Sequence, residues 1–341
     1  MPEKNEQIVL AGRPEGMPSH EHFAFEEVSV EEPQDGQVLV KTIYLSVDPY
    51  MRGRMSSAES YVAPFEVNEV ITGNVVGEVV ASKSSLFEPG DKVMGMLGWK
   101  RYNTIEDAAV RKVDESIAPL SAYLNILGLN GLTAYFGLLE IGRPVAGETV
   151  VISGAAGAVG MAAGQIAKLR GARVVGIAGT DKKTDYLKTE LRFDETINYN
   201  AVSNLETALE EACPKGVDVY FDNVGGPVSD AVMTQLNDFA RIPVCGAISS
   251  YNKTEDTGPR VQPTLIKSRA LIQGFIVGDY ASRFQEGSEK LAAWLSEGKL
   301  KYEETIVEGF ENVPEAFLGL FTGDNLGKQL VKVNEPAAGV E

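Results

Sequence analysis

VVISGAAGAVG, residues 150–160, carries an apolar, β-branched run straight into glycines at positions 154, 157 and 160. A buried strand that meets glycines and then a helix brings an anion against the helix N-terminus, where unpaired backbone N–H groups and the helix dipole favour negative charge. On this reading Gly157 lets the backbone approach a pyrophosphate and Gly160 lets the helix pack on the strand, with the amides of Ala158, Val159 and Gly160 turned toward the ligand. Aligning Gly157 and Gly160 with the second and third glycines of the dinucleotide fingerprint puts Ala155 at the first, so the motif is A-x-G-x-x-G. The alternative is a tight strand–helix turn that binds nothing.

On the C-terminal side, AVGMAAGQIAKLRG, ARVVGIAG, DKKTDYLKTEL, DVYFDNVGG and ARIPVCGAIS keep strand and helix in alternation. That pattern predicts an α/β fold, a Rossmann-type doubly wound parallel sheet with helices on both faces. On the N-terminal side, as far as about residue 120, GQVLVKTIYLSV, VITGNVVGEVVAS and EPGDKVMGML are short apolar runs broken by turns such as Pro89-Gly90-Asp91, which predicts a mostly β, barrel-like domain. Near residue 300 the alternation stops, and the text reads strand, helix, strand, a tail expected to return to the first domain. The expected division is therefore 126–299 for the nucleotide domain and 1–125 with 300–341 for the other. The last residues, NEPAAGVE, read as a short disordered end.

The second strand of the nucleotide domain ends at Ile177-Ala178-Gly179 with no acid where NAD-binding sheets place one for the ribose 2′-hydroxyl. Thr180 and the pair Lys182-Lys183 follow, a hydroxyl and two cations suited to a 2′-phosphate, which points to NADPH. A solvated first helical turn is the alternative, but lysine there runs against the helix dipole unless an anion offsets it. Asp181 suits a capping role.

Later strand ends add candidates. Asn223, before Gly225-Gly226, is either a ligand to cofactor ribose or amide or an ordinary turn residue. Tyr199 either stacks on the adenine or is a plain core or surface tyrosine. Ser249, Tyr251 and Asn252 follow the strand ARIPVCGAIS. Within that strand Cys245 is expected to be buried and to pack rather than to react, and Pro243 is expected to limit pairing to Val244 onward.

A formal charge of −17 argues against a nucleic acid or an anionic membrane surface as partner. Two cysteines, Cys213 and Cys245, are too few for a disulfide framework and fit a reducing, cytoplasmic setting. The charged start MPEKNEQIVL lacks a signal peptide's apolar core, and no apolar run approaches the roughly 18 residues of a membrane span. Zinc-dependent chemistry needs Cys, His and Glu ligands, whereas the only histidines, His20 and His22, sit in the polar segment PSHEHF; no metal site is expected.

Taken together, GLTAYFGLLEIG, AAGAVG, the T-D-K-K turn, FDNVGG and CGAISSYN resemble the medium-chain dehydrogenase/reductase superfamily over nearly the whole chain. VDPYMRGRM, Val47 to Met55, and the missing zinc ligands look like its alkenal/one oxidoreductase branch, which holds prostaglandin, plant double-bond and bacterial curcumin reductases. The resemblance implies a GroES-like barrel for the first domain, a homodimer, and NADPH-dependent reduction of the carbon–carbon double bond of α,β-unsaturated ketones and aldehydes. By the same resemblance Lys183 meets the 2′-phosphate, Tyr199 the adenine, and Asn223 and Asn325 the cofactor, while Thr133 lies beside the nicotinamide. Cys245 and Ser249 join these cofactor positions. Tyr251 serves the nicotinamide ribose or the substrate carbonyl, and Tyr50 belongs to the substrate cleft; these two are the catalytic candidates. A quinone reductase with the same cofactor site and a non-enzymatic NADPH-binding protein are the competing functions.

Overall fold

Apolar residues in the first 124 positions recur at strand rather than helix spacing, and the computed structural model, which describes residues 3–336, turns them into antiparallel sheet. β1 (Lys4–Leu10) pairs with β2 (Phe23–Ser29). β3 (Gln37–Ser46) is followed by the single-turn helix α1 (Met51–Arg54), β4 (Thr72–Ser82), β5 (Lys92–Gly98), β6 (Tyr102–Glu106) and β7 (Val110–Lys112). Their core centres on Val38, Leu45, Val75, Trp99 and Phe317.

From Asn125 the chain forms a second compact unit, Asn125–Glu303 with Leu326–Lys328. It opens with α2 (Leu129–Phe136) and proceeds through β8 (Thr149–Ile152), α3 (Ala158–Leu169), β9 (Arg173–Ala178), α4 (Asp181–Thr189), β10 (Glu195–Asn198) and α5 (Leu205–Ala212). β11 (Val217–Phe221), α6 (Gly226–Met233), β12 (Leu236–Val244), α7 (Gln262–Ser268), β13 (Leu271–Gly274) and α8 (Phe284–Ser296) complete it. The six strands are parallel in the order β10-β9-β8-β11-β12-β13, so the chain reverses direction across the sheet between β8 and β11. Ligands of open α/β sheets bind at such a reversal, beyond the carboxyl ends of the strands. β8 is buried at all four positions, as a central parallel strand covered on both faces must be.

The remaining segments, β14 (Glu304–Glu308), α9 (Val313–Thr322) and β15 (Lys328–Lys332), fall mainly in the first unit, where β14 and β15 extend the sheet β14-β15-β3-β4-β5-β7. Of the expected disordered end, residues 337–341 lie outside the described residues.

Three local expectations need correction. β12 does not begin pairing at Val244: it starts at Leu236, and Arg241, Ile242 and Pro243 all face partners on β13. Proline removes one donor but keeps its carbonyl, and Pro243 O accepts from Asp222 N at 3.0 Å, so the ladder continues through it. Cys245 lies just beyond the strand rather than within it and is half-buried, its amide bonded to Asp222 O at 2.8 Å. The cap of α4 is Thr180, whose Oγ1 accepts from Lys183 N; Asp181 instead takes the amide of Asn198 on Oδ1 at 2.7 Å. A side chain must precede the helix to reach its third amide, and Asp181 is already inside the first turn.

Candidate active site

The turn between β8 and α3 is built from glycines that bring backbone, not side chains, to the helix start. Gly157 occupies the N-cap with no side chain to bond the first amides, as α2, α6, α7, α8 and α9 also lack one, whereas α4 and α5 are capped by Thr180 and Asn204. No side chain caps these first amides, and the helix dipole makes such a helix start favourable to an anion, while Gly157 itself pairs in a parallel bridge with Gly327. Gly160 is required sterically: a Cβ there would lie 2.4 Å from Gly154 O and 2.7 Å from Ala155 Cα. Ala155, fully buried, holds the turn to β9 through its amide and Ile177 O at 3.0 Å. The segment Leu326–Lys328 rests on the same turn, with Gly327 N donating to Ala156 O at 2.8 Å.

At the end of β9, Thr180 and Lys183 sit on one helical turn. Tyr199 follows β10 and is 44% exposed, so it is no core tyrosine. Its hydroxyl hangs over Gly179, where a Cβ would come within 2.9 Å of it, and Asn200 Nδ2 donates to Gly179 O at 2.9 Å. One end of the sheet therefore gathers Thr180, Lys183 and Tyr199.

At the ends of β11 and β12, Asn223 donates its Nδ2 to Ser153 O at 2.7 Å and its amide to Ser153 Oγ at 2.9 Å. Ser249 holds the β12 loop against the β11 loop, its Oγ and amide both donating to Val224 O at 2.7 and 3.1 Å. The Tyr251 hydroxyl turns back onto this loop and accepts from Ala247 N at 3.3 Å, leaving its own proton for a further acceptor. Burial raises the Tyr251 phenol above its ordinary value, so it is a neutral donor across the working pH range. Burial also pushes the Cys245 thiol up to about 12, which makes it inert as a nucleophile. Thr133, half-buried on α2, bonds Leu129 O at 2.6 Å, and the helix is anchored by Phe136 stacked on Tyr280 at 4.8 Å.

Tyr50 and Asn325 belong to the other compact unit. Tyr50 is the N-cap of α1, and burial, with the Asp48 carboxylate second, holds its phenol well above the ordinary tyrosine value. Arg54 faces it one turn on, clamped by Ala63 O at 2.9 Å, Thr72 Oγ1 at 3.1 Å and the Phe65 ring at 3.9 Å.

Asp222, only 4% exposed, escaped the reading of the sequence although it ties these loops together. The available signal was an acid ending the apolar run Val219-Tyr220-Phe221, since a carboxylate there must be met by donors.

Residues 6–113 match the family described as the N-terminal domain of oxidoreductase, and residues 158–294 the family described as zinc-binding dehydrogenase. A Bacillus subtilis protein provisionally named NADP-dependent oxidoreductase YfmJ is 62% identical over 340 residues, covering 99% of this chain and all of that one. The NADPH-dependent curcumin reductase of Escherichia coli is 44% identical over 97% of both chains. The crystal structure of CurA from Vibrio vulnificus in complex with NADPH superposes with a TM-score of 0.93 at 44% identity, over 97% of this chain and all of that one. The chain belongs to the medium-chain dehydrogenase/reductase family, in the NADP-dependent branch of the curcumin, prostaglandin and 2-alkenal reductases.

The family description mentions zinc, but the donor set does not fit it. Among the described residues no group of three or more His, Cys, Asp and Glu side chains is placed to hold a metal ion. His22 is bonded within its own turn to Ser19, and His20 to Glu315 at 2.8 Å. Exhaustive chelation is accordingly expected to leave the turnover number unchanged, and activity that vanishes with chelator and returns with zinc would refute this.

Proposed function

We propose that the protein uses NADPH to reduce the carbon–carbon double bond of α,β-unsaturated ketones and aldehydes. The observation that carries the reading is the glycine-built turn after β8 together with the Thr180–Lys183 turn after the neighbouring strand β9, an anion seat for a diphosphate and a cationic seat for a 2′-phosphate on one sheet. The names of the relatives, curcumin reductase and 2-alkenal reductase, support the substrate class.

On this reading the amides of Ala158, Val159 and Gly160 hold the pyrophosphate, Thr180 and Lys183 the 2′-phosphate, and Tyr199 covers the adenosine. Asn223, Ser249, Cys245 and Thr133 line the remainder of the cofactor within this unit. When bound, NADPH supplies the hydride for the β-carbon of the substrate. The enolate oxygen that develops then needs a neutral donor, and the Tyr251 hydroxyl, with its proton uncommitted, is suited to give it a hydrogen bond. Tyr50, in the other compact unit, is a candidate through the family resemblance and is held protonated by burial. Neither phenol is acidic enough to be an obvious source of the α-carbon proton, a role left to water. Following NADPH loss against a panel of acceptors tests the reading: turnover on enones and enals well above that on quinones is expected. A preference for quinones would move the assignment to a quinone reductase, and no turnover with any acceptor would reject enzymatic function.

We also infer a symmetric dimer. β13 is the open edge of the six-stranded sheet, all four of its residues are exposed, and Leu271 and Ile272 are each at least 40% so. An apolar unpaired edge calls for a partner, and pairing with a second copy closes it. Light scattering is expected to give twice the chain mass of 36.7 kDa, and a monomer at working concentration would remove the claim.

A further inference from the structure

One buried carboxylate collects the hydrogen bonds around the end of β11. Oδ1 of Asp222 accepts from Ser153 Oγ at 2.9 Å, Tyr220 Oη at 2.8 Å, Val224 N at 3.0 Å and Gly225 N at 2.9 Å. Its main-chain carbonyl accepts from the amides of Cys245 at 2.8 Å and Gly246 at 3.2 Å. These donors come from separate loops: Ser153 opens the glycine-rich turn, Val224-Gly225 leads into α6, and Cys245-Gly246 begins the loop that bears Ser249 and Tyr251. All four side-chain partners are neutral, so converging donors rather than a counter-charge keep the carboxylate buried.

We propose that Asp222 is a positioning residue for NADPH: through Oδ1 and its carbonyl it sets the spacing of the three loops that present residues 155–160, 223 and 249–251. The inference rests on the NADPH reading above and assigns a role to a residue that does not itself touch the cofactor. Charge and position predict opposite signs. A negative charge behind an anion site weakens binding of phosphates, so electrostatics alone predicts that neutralising Asp222 tightens NADPH. If Asp222 acts by holding the loops, neutralising it loosens them and binding weakens.

Asp222→Asn keeps the shape and one acceptor oxygen but removes the charge that strengthens four hydrogen bonds. NADPH titration of the folded variant, checked by near-ultraviolet circular dichroism, is expected to show a dissociation constant raised at least about tenfold, with the KM for an enone within twofold of wild type. Tyr220→Phe removes one of the four donors from inside the strand, a hydroxyl that also meets the Ser153 and Ser229 side chains, and is expected to raise the same constant about threefold. A purely structural role lowers the melting temperature while leaving the NADPH constant of the folded protein within twofold of wild type. That result in both variants, or tighter binding by Asp222→Asn, overturns the proposal; if Asp222→Asn does not fold, Tyr220→Phe decides it alone. A wild-type chain that fails to bind NADPH overturns the cofactor reading and this inference with it.

Discussion

Replacing Lys183 with alanine is expected to raise the NADPH dissociation constant at least about tenfold while leaving NADH binding unchanged. The ammonium is assigned to the 2′-phosphate, and a charge-assisted contact of that kind is worth about 1.5–3 kcal/mol. The helix cap survives the substitution: Thr180 Oγ1 accepts the main-chain amide of Lys183, which alanine retains. Alanine is also at least as good a helix former as lysine. A loss confined to NADPH therefore reports on the 2′-phosphate, the one group that NADH lacks. Fluorescence titration with both cofactors measures it, and an equal loss for NADH would reject the assignment.

The glycine-rich turn and the alternating strands and helices were legible because they are local and periodic. Gly157 and Gly160 declare a strand–helix junction by what they lack, and the apolar run Val150-Val151-Ile152 declares a central strand by having no polar face. What escaped depends on which donor meets which acceptor across distant segments. Asp181 and Thr180 are both capping residues by type, and only the backbone path decides that Thr180 precedes the helix. Asp222 belongs to a turn-like Asp-Asn-Val-Gly-Gly string, yet its partners Ser153 and Cys245 lie some seventy residues before and over twenty after it. Pro243 shows the converse: proline's missing N–H is plain in the sequence, whereas the partner of its carbonyl, Asp222 N, is not. Chemistry that rests on residue type survives translation into structure better than chemistry that rests on pairing.

Tyr251→Phe is the variant expected to cost the most in rate. The ring sits where the loop after β12 folds back, and its hydroxyl accepts from Ala247 N at 3.3 Å, a single long bond whose loss leaves the loop still fastened by Ser249 to Val224 O. Phenylalanine therefore preserves the packing and deletes one donor. If that donor stabilises the enolate oxygen, the loss falls on the turnover number, between about ten- and a thousandfold, with NADPH affinity little changed. The raised phenol also fixes a pH signature. Burial favours the protonated form, so the donor stays intact below the ordinary tyrosine value near 10 and is lost only as pH climbs through the higher folded value. Wild-type turnover should accordingly show no alkaline limb from this group between pH 6 and about 9. Should the hydroxyl hold the nicotinamide ribose instead, affinity for NADPH falls together with the rate; a packing tyrosine changes neither. Steady-state rates on a good enone and cofactor titration of this one variant separate the three, and an unchanged turnover number excludes Tyr251 as the donor on which the reduction depends.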